Sequence, residues 1–499
     1  MKTFGNNISD RQLLIKKSAF FIGPVVSIAI IIFADLDPAR PETSRMAAVA
    51  FLMAAWWITE AIPLAATALL PVALFPLLGI MEGKKVAPLY INHVIFLFTG
   101  GFIVALAMQK WDLHKRMALK IILLIGISPR RILFGFMAAS FFLSMWISNT
   151  ATTMMMMPIV IAIIVKFDES TDAETVRRFS AALLLGVAYS ASIGGIATLI
   201  GTPPNLSFAR IYSIYFPNAH EITFAGWFAF ALPLSSAFFI VVWGILTLLF
   251  CSSEKDFMVD RQNLINEYKK LGAPSFEEKA VLTLFLIMAF LWLTRSGINI
   301  GSFSIPGWSY LLKTPKYVDD GTVAIAIALI LFLIPSKRSA SGKIMDWETA
   351  VKLPWGIILL FGGGFALAGG FKSSGLAMWI GGRMTGLSEI NPLILVAIIC
   401  ITVTFLTEVT SNTATTEMLL PVLAGLSVAI NVNPLLLMIP ATLSASCAFM
   451  LPVATPPNAI IFGTGRIKIH EMARTGIFLN LIGVALISIY ISVIGVKFL

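Results

Sequence analysis

Apolar runs of membrane-crossing length recur along the whole chain, around 18–34, 46–60, 62–80, 91–109, 225–251, 278–294, 322–335, 354–371 and 475–496. A span needs about 20 apolar residues, and inside lipid every backbone polar group must be satisfied within the chain. These runs therefore point to an all-α polytopic membrane protein. Only 12% of residues are charged and 58% are hydrophobic, whereas a soluble domain carries about 25% charged residues. The membrane region is the protein rather than an appendage. The net charge of +10 fits basic loops on the cytoplasmic side, not nucleic-acid binding. The N-terminus is basic (Lys2, Arg11, Lys16, Lys17) and leads into a span from Ser18. It reads as a cytoplasmic tail over 1–17, not a cleavable leader. Cys251, Cys400 and Cys447 lie in or beside apolar runs and show no zinc or disulfide spacing. His93, His114, His220 and His470 are scattered and lack ligand spacing.

Set into these runs is a polar hexapeptide, SNTATT, that occurs twice, at 148–153 and 411–416, with Pro158 and Pro421 following at the same distance. FTGGF (98–102) matches FGGGF (361–365), and TPPN occurs at 202–205 and 455–458. Three motifs in one order mark an internal duplication. The arm before the first SNTATT, 132–147, is short for a span, and a second apolar run follows the motif to about Val165. A polar tip between two short arms predicts a re-entrant helical hairpin. Arg130, Arg131, Lys166, Arg177 and Arg178 flank the first hairpin, while SEINP (388–392) and INVNP (430–434) flank the second without Lys or Arg. The bias puts the two hairpins on opposite faces, as inverted repeats. The stretch 183–216 reads as one span broken at IGTPPN, and LPVATPPNAI repeats the break. The most charged stretch, 252–279, reads as a polar loop joining the halves.

Four polar breaks thus fall at membrane depth, where irregular backbone survives only in protein or beside a watery cavity. Helix N-termini there favour anions, and the carbonyl ends of the preceding half-helices favour small cations. Ser, Asn and Thr also cap helices well, and Thr202 can cap the helix that Pro203 opens. The tips carry hydroxyls and amides but no Lys or Arg. A multiply charged anion would then be held by dipoles, neutral donors and co-bound Na⁺. The duplication pairs Ser144 with Thr407, Ser148 with Ser411 and Asn149 with Asn412 as cation ligands. Blander readings stand beside these: plain capping for SNT, a kink for Pro-Pro, packing for Met154–Met157, and close helix approach for FTGGF. Glu408 reads as a proton or cation site or as a paired group, and Glu60 as structural or interfacial.

The paired SNT motifs, the paired TPPN breaks and WWITEAIPLAATALLP (56–71) resemble the divalent anion/sodium symporter family of di- and tricarboxylate carriers. The likeness runs from about residue 46 to the C-terminus. It implies a homodimer with about eleven spans per protomer, in which a scaffold holds the dimer and a transport domain moves like an elevator. Scaffold helices would occupy 18–125 and 221–385, and transport elements 126–220 and 386–499. One Na⁺ would sit near Ser144, Ser148, Asn149 and Gly201, and a second near Thr407, Thr410, Asn412 and Ala454. Substrate carboxylates would meet Asn149, Thr150, Asn412 and Thr413, with Thr202, Thr455 and Pro456 nearby. Ile147 stands where the other repeat has Thr410, so that position offers the first cation only a carbonyl.

The expected activity is Na⁺-coupled symport of C4-dicarboxylates such as succinate, malate or fumarate, in the cell inner membrane with the N-terminus in the cytoplasm. A dicarboxylate exchanger, or a citrate- or sulfate-type carrier of the same fold, is the alternative. An intramembrane enzyme would need a catalytic pair such as Asp–Asp, HExxH or Ser–His, which is lacking, and a channel would show single-channel currents.

Overall fold

The computed structural model describes residues 10–126, 128–168, 173–251, 261–300 and 303–495. The N-terminal pair is α1 (Asp10–Phe33) and α2 (Pro41–Thr59), packed against each other. Helix α1 begins inside the stretch expected as a tail. The run at 62–80 is not one span but two short helices, α3 (Leu64–Thr67) and α4 (Leu70–Leu77). Pro63, Pro71 and Pro76 punctuate it, each without an N–H to donate. Then come α5 (Gly83–Tyr90), α6 (His93–Lys110, capped by Asn92 accepting from the Val94 amide) and α7 (Leu113–Ile125).

The first hairpin is α8 (Pro129–Ser144) and α9 (Asn149–Asp168), joined at 145–148. The first broken helix is α10 (Ala173–Ile196) followed by α11 (Pro203–Tyr215). A long α12 (Phe224–Phe250), α13 (Arg261–Lys270) and α14 (Phe276–Thr294) follow. Helix α13 thus occupies part of the expected polar loop, whose residues 252–260 lie outside the described residues. A two-stranded hairpin, Ile298–Ile300 with Phe303–Ile305, is a small addition to an otherwise helical chain. After it come α15 (Asp320–Leu333), α16 (Trp347–Ala350), α17 (Trp355–Ser374) and α18 (Leu376–Arg383). The second hairpin is α19 (Pro392–Thr407) and α20 (Asn412–Ala429), and the second broken helix is α21 (Pro434–Ala445) and α22 (Pro456–Phe462). Helix α23 (Ile469–Tyr490) closes the fold.

Six helices among the described residues are long and apolar enough to cross a membrane, including α10, α12 and α17. Large apolar side chains on α1 face outward, among them Phe21 and Phe33, as lipid contact requires. Helix α10 is the opposite case, with every residue from Phe179 to Ile196 buried. It packs on α8, α9, α12 and α22, so the first break lies deep inside the molecule. The small residues of FTGGF and FGGGF do allow close helix approach. A Cβ at Gly100 would stand 2.5 Å from the Ala324 carbonyl carbon, and one at Gly363 2.5 Å from the Ala68 oxygen. A second apolar cluster unites α2, α4, α5 and α17 around Trp57, Phe75, Tyr90 and Phe371.

Candidate cation and anion site

Each hairpin tip meets the break of its own half. In the first half, Ser144 ends α8 and its hydroxyl donates to Asn149 Oδ1 at 2.5 Å. Two glycines let backbone oxygens crowd into the same place. A Cβ at Gly195 would lie 2.6 Å from Asn149 Oδ1 and 3.1 Å from the Gly201 carbonyl oxygen. One at Gly201 would lie 2.6 Å from the Gly195 oxygen and 3.0 Å from the Ser144 oxygen. The Ser144 carbonyl and hydroxyl, Asn149 Oδ1 and the Gly195 and Gly201 carbonyls therefore form one small oxygen cluster. Turning the Asn149 amide over would aim its nitrogen at the Ala191 and Gly201 carbonyls and the Ser144 hydroxyl. With its oxygen turned to these acceptors Asn149 completes the surroundings a hard cation fits, and with its nitrogen there it donates to the same oxygens in the cation's place.

The second half repeats the design. The Thr407 hydroxyl lies 2.7 Å from Asn412 Oδ1 and 3.0 Å from the Ala445 carbonyl oxygen, where α21 ends. Of the residues expected as cation ligands, Ser144, Asn149 and Gly201 come together in one cluster, and Thr407 and Asn412 in the other. Ser148 instead uses its hydroxyl to accept from the Ala151 amide at 3.3 Å, as a helix cap. The Thr410 hydroxyl is engaged within the tip, with the Leu406 carbonyl and Thr415 Oγ1. Ala454 is buried in the second break, its amide on the Leu451 carbonyl.

The breaks are held by residues whose part the motifs had not disclosed. Asn205, last of the first TPPN, donates from its amide to the carbonyls of Gly195, Ile196 and Thr198 at 3.2, 3.1 and 2.7 Å. Asn458, last of the second, donates to Ala448 and Leu451 at 3.0 and 3.1 Å. Both are wholly buried and stitch the carbonyl end of one half-helix to the start of the next. The signal was present as the invariant final letter of the doubled motif. Capping differs between the halves. The Thr455 hydroxyl accepts from the Asn458 amide at 3.3 Å, while Thr202 makes no side-chain cap bond.

The tip-to-break link differs as well. In the first half the Thr198 hydroxyl donates to the Met145 carbonyl at 2.5 Å and accepts from the Gly201 amide. In the second half Glu408 does this work. Its carboxyl accepts from the amides of Phe449, Met450 and Leu451 at 2.7–3.0 Å and from Asn480 Nδ2 at 2.7 Å. Of the two readings of Glu408, the paired one describes this geometry. Glu60 sits at the end of α2 in a left-handed turn, φ 48°, paired with Lys16 at 3.2 Å, which fits the interfacial reading.

The halves are interlocked crosswise: α22 packs on α9 of the first hairpin, and α11 packs on α20 of the second. Both second arms and both second half-helices begin at tips or breaks. Asn149, Thr150 and Asn412 are half-buried there, Thr202, Thr413 and Thr455 are buried, and Pro456 is exposed. Positive dipole ends, amides and hydroxyls beside two oxygen clusters suit an anion flanked by cations.

A membrane-embedded helical fold with two hairpins, two broken helices and ion-type oxygen clusters defines an ion-coupled carrier. The sequence profile described as the sodium:sulfate symporter transmembrane region matches residues 16–497, so the chain belongs to the divalent anion/sodium symporter family. It is similar to the sodium-dependent dicarboxylate transporter SdcS of Staphylococcus saprophyticus, 44% identical over 472 residues, covering 93% of this chain and 89% of that one. The SdcS of Staphylococcus aureus is also 44% identical over 472 residues, covering 93% and 88%. Among solved structures, the YdaH transporter of Alcanivorax borkumensis shares the fold, with a TM-score of 0.56 at 15% identity, covering 84% of this chain and 87% of that one.

Proposed function

We propose that this chain is a secondary transporter that carries C4-dicarboxylates such as succinate, malate and fumarate together with Na⁺. The observation that carries the reading is the pair of oxygen clusters at the hairpin tips, Ser144–Asn149–Gly201 and Thr407–Asn412, with no Lys or Arg at either tip. Two captured cations offset a dianion without a fixed basic side chain, so the charge of the cargo is cancelled before it crosses. The names of the 44%-identical relatives support both the ion and the substrate class.

The substrate carboxylates bind Asn149 and Thr150 on one side and Asn412 and Thr413 on the other, with Thr202, Thr455 and Pro456 completing the rim. Ser148, Thr410 and Ala454 contribute backbone oxygens to the cation sites, their side chains being used elsewhere or apolar. The halves lie inverted in the membrane, with eleven spans and a cytoplasmic N-terminus in the cell inner membrane. The protein works as a homodimer. Residues 126–220 and 386–499 move as a transport domain against a scaffold built from 18–125 and 221–385. Uptake of labelled succinate into vesicles tests the coupling. Accumulation that requires an inward Na⁺ gradient supports symport. Uptake that instead requires preloaded internal succinate favours exchange and overturns it.

A further inference from the structure

Glu417 is wholly buried on α20, five residues past the Asn412 that lines the second oxygen cluster. No basic side chain pairs with it among the described residues. One carboxyl oxygen, Oε1, accepts a bond from the Ser207 hydroxyl on α11. The other, Oε2, has no partner. The carboxyl lies flat on Gly364 of α17, where a Cβ would stand 1.9 Å from Oε2. Helices α11, α17 and α20 pack on one another around it. The duplicated position in the first half is Met154, on the outer face of α9 at 60% exposure. The carboxyl is therefore no part of the repeated cation design.

The other helices against α20 are α2, α18, α19 and α21, and α21 carries no titratable side chain. On the rest, the charged groups are engaged elsewhere. Arg210 of α11 reaches Ser213 through one nitrogen at 3.3 Å, leaves its Nε without a partner and does not bond Glu417, while Lys372 of α17 bonds the Ile214 carbonyl and Glu408 beyond α19 holds the break amides. Arg45 of α2 bonds the Leu78 carbonyl, and Arg383 of α18 lies over Trp379. Glu42, Cys400, Tyr212 and Tyr215 complete the set, and none of them bonds Glu417. An ionised carboxylate with a bare oxygen in such a seam is costly, and nothing here offsets it.

We propose that Glu417 is a proton-binding site, separate from the two cation clusters, and that the bound proton lets α20 and α11 close against α17. The inference rests on the moving-domain reading above, in which α11 and α20 travel while α17 stays. The proton sits on Oε2, leaving Oε1 to accept from Ser207. When the seam opens, the carboxyl meets water and can release the proton. Each turnover returns through the closed seam, so loss of the proton slows the cycle.

Infrared difference spectra of the full chain in lipid vesicles at neutral pH test this directly. Wild type shows a protonated-carboxyl C=O band that Glu417→Gln loses, while identical spectra overturn the proposal. Na⁺-driven succinate uptake from mildly acid to mildly alkaline pH gives a second readout. The ratio of the wild-type rate to the Glu417→Gln rate falls as pH rises, approaching about tenfold per pH unit beyond the midpoint. A ratio that stays flat overturns it. Substrate protonation cancels in that ratio. Should Glu417→Gln fail to fold, Ser207→Ala keeps the band and moves it to higher frequency, because Oε1 loses its donor; no movement contradicts the assignment. If wild type lacks Na⁺-dependent uptake, the transport reading fails while the band still reports the proton. If uptake is Na⁺-dependent and the spectra are identical, only the proton site fails.

Discussion

Ser144 and Thr407 occupy matched places, one hydroxyl before each tip and each within hydrogen-bond reach of the tip asparagine. Removing one ligand of a bound cation costs about 1–2 kcal/mol, or roughly 5- to 30-fold in affinity. Ser144→Ala and Thr407→Ala should each raise the Na⁺ concentration for half-maximal succinate uptake by that factor. An unchanged Na⁺ dependence in both would remove the hydroxyls from the cation sites. Glu408 differs, because it is structural glue. Glu408→Ala strands three amides and Asn480, and should destabilise the fold by about 3 kcal/mol. Thermal unfolding of the detergent-solubilised protein reads this, and a wild-type melting curve would contradict it. The tip residues were legible because SNT is written twice in apolar sequence. Glu417 was not, since its repeat partner is Met154 and only the packing of α17 beside α20 reveals a buried carboxyl.

At the scale of elements, two hairpins and two broken helices could be read from short arms, polar tips and Gly–Pro punctuation. The stitching of the breaks could not, because Asn205 and Asn458 act across seven to ten residues on carbonyls that only the fold brings near. Replacing Asn458 by Leu leaves the Ala448 and Leu451 carbonyls without their donor, and should lower stability by about 2–4 kcal/mol. A thermal shift measures it, and no shift would mean that the break holds without its asparagine. The 62–80 run misled through its length, as its prolines divide it into α3 and α4. Outside the membrane, Asp346 caps α16 through the Thr349 amide at 2.7 Å and pairs with Lys110. The Lys110 hydrogen bond, outweighing partial burial, holds its carboxyl down at about 2. A carboxyl depressed by folding stabilises above the ordinary carboxylate range and loses that contribution as pH falls toward 2. Asp346→Asn should therefore narrow the gap to wild type in acid, and a gap independent of pH would contradict the pairing.

For the whole molecule, α22 packs on α9 and α11 on α20, so the second half-helix of each half lies against the hairpin of the other. Under the proposed function the halves share one pocket, so a lesion in either tip should disable binding as a whole. A shared site is what the duplication leads one to expect, whereas the exchange of partners between halves required the packed structure. The most direct measurement is Na⁺-dependent binding of succinate to purified protein, comparing wild type with Asn149→Leu and Asn412→Leu variants that retain wild-type size-exclusion profiles. Each single change should abolish the Na⁺-dependent binding. Binding that survives either change at wild-type affinity would contradict a shared, sodium-held anion site.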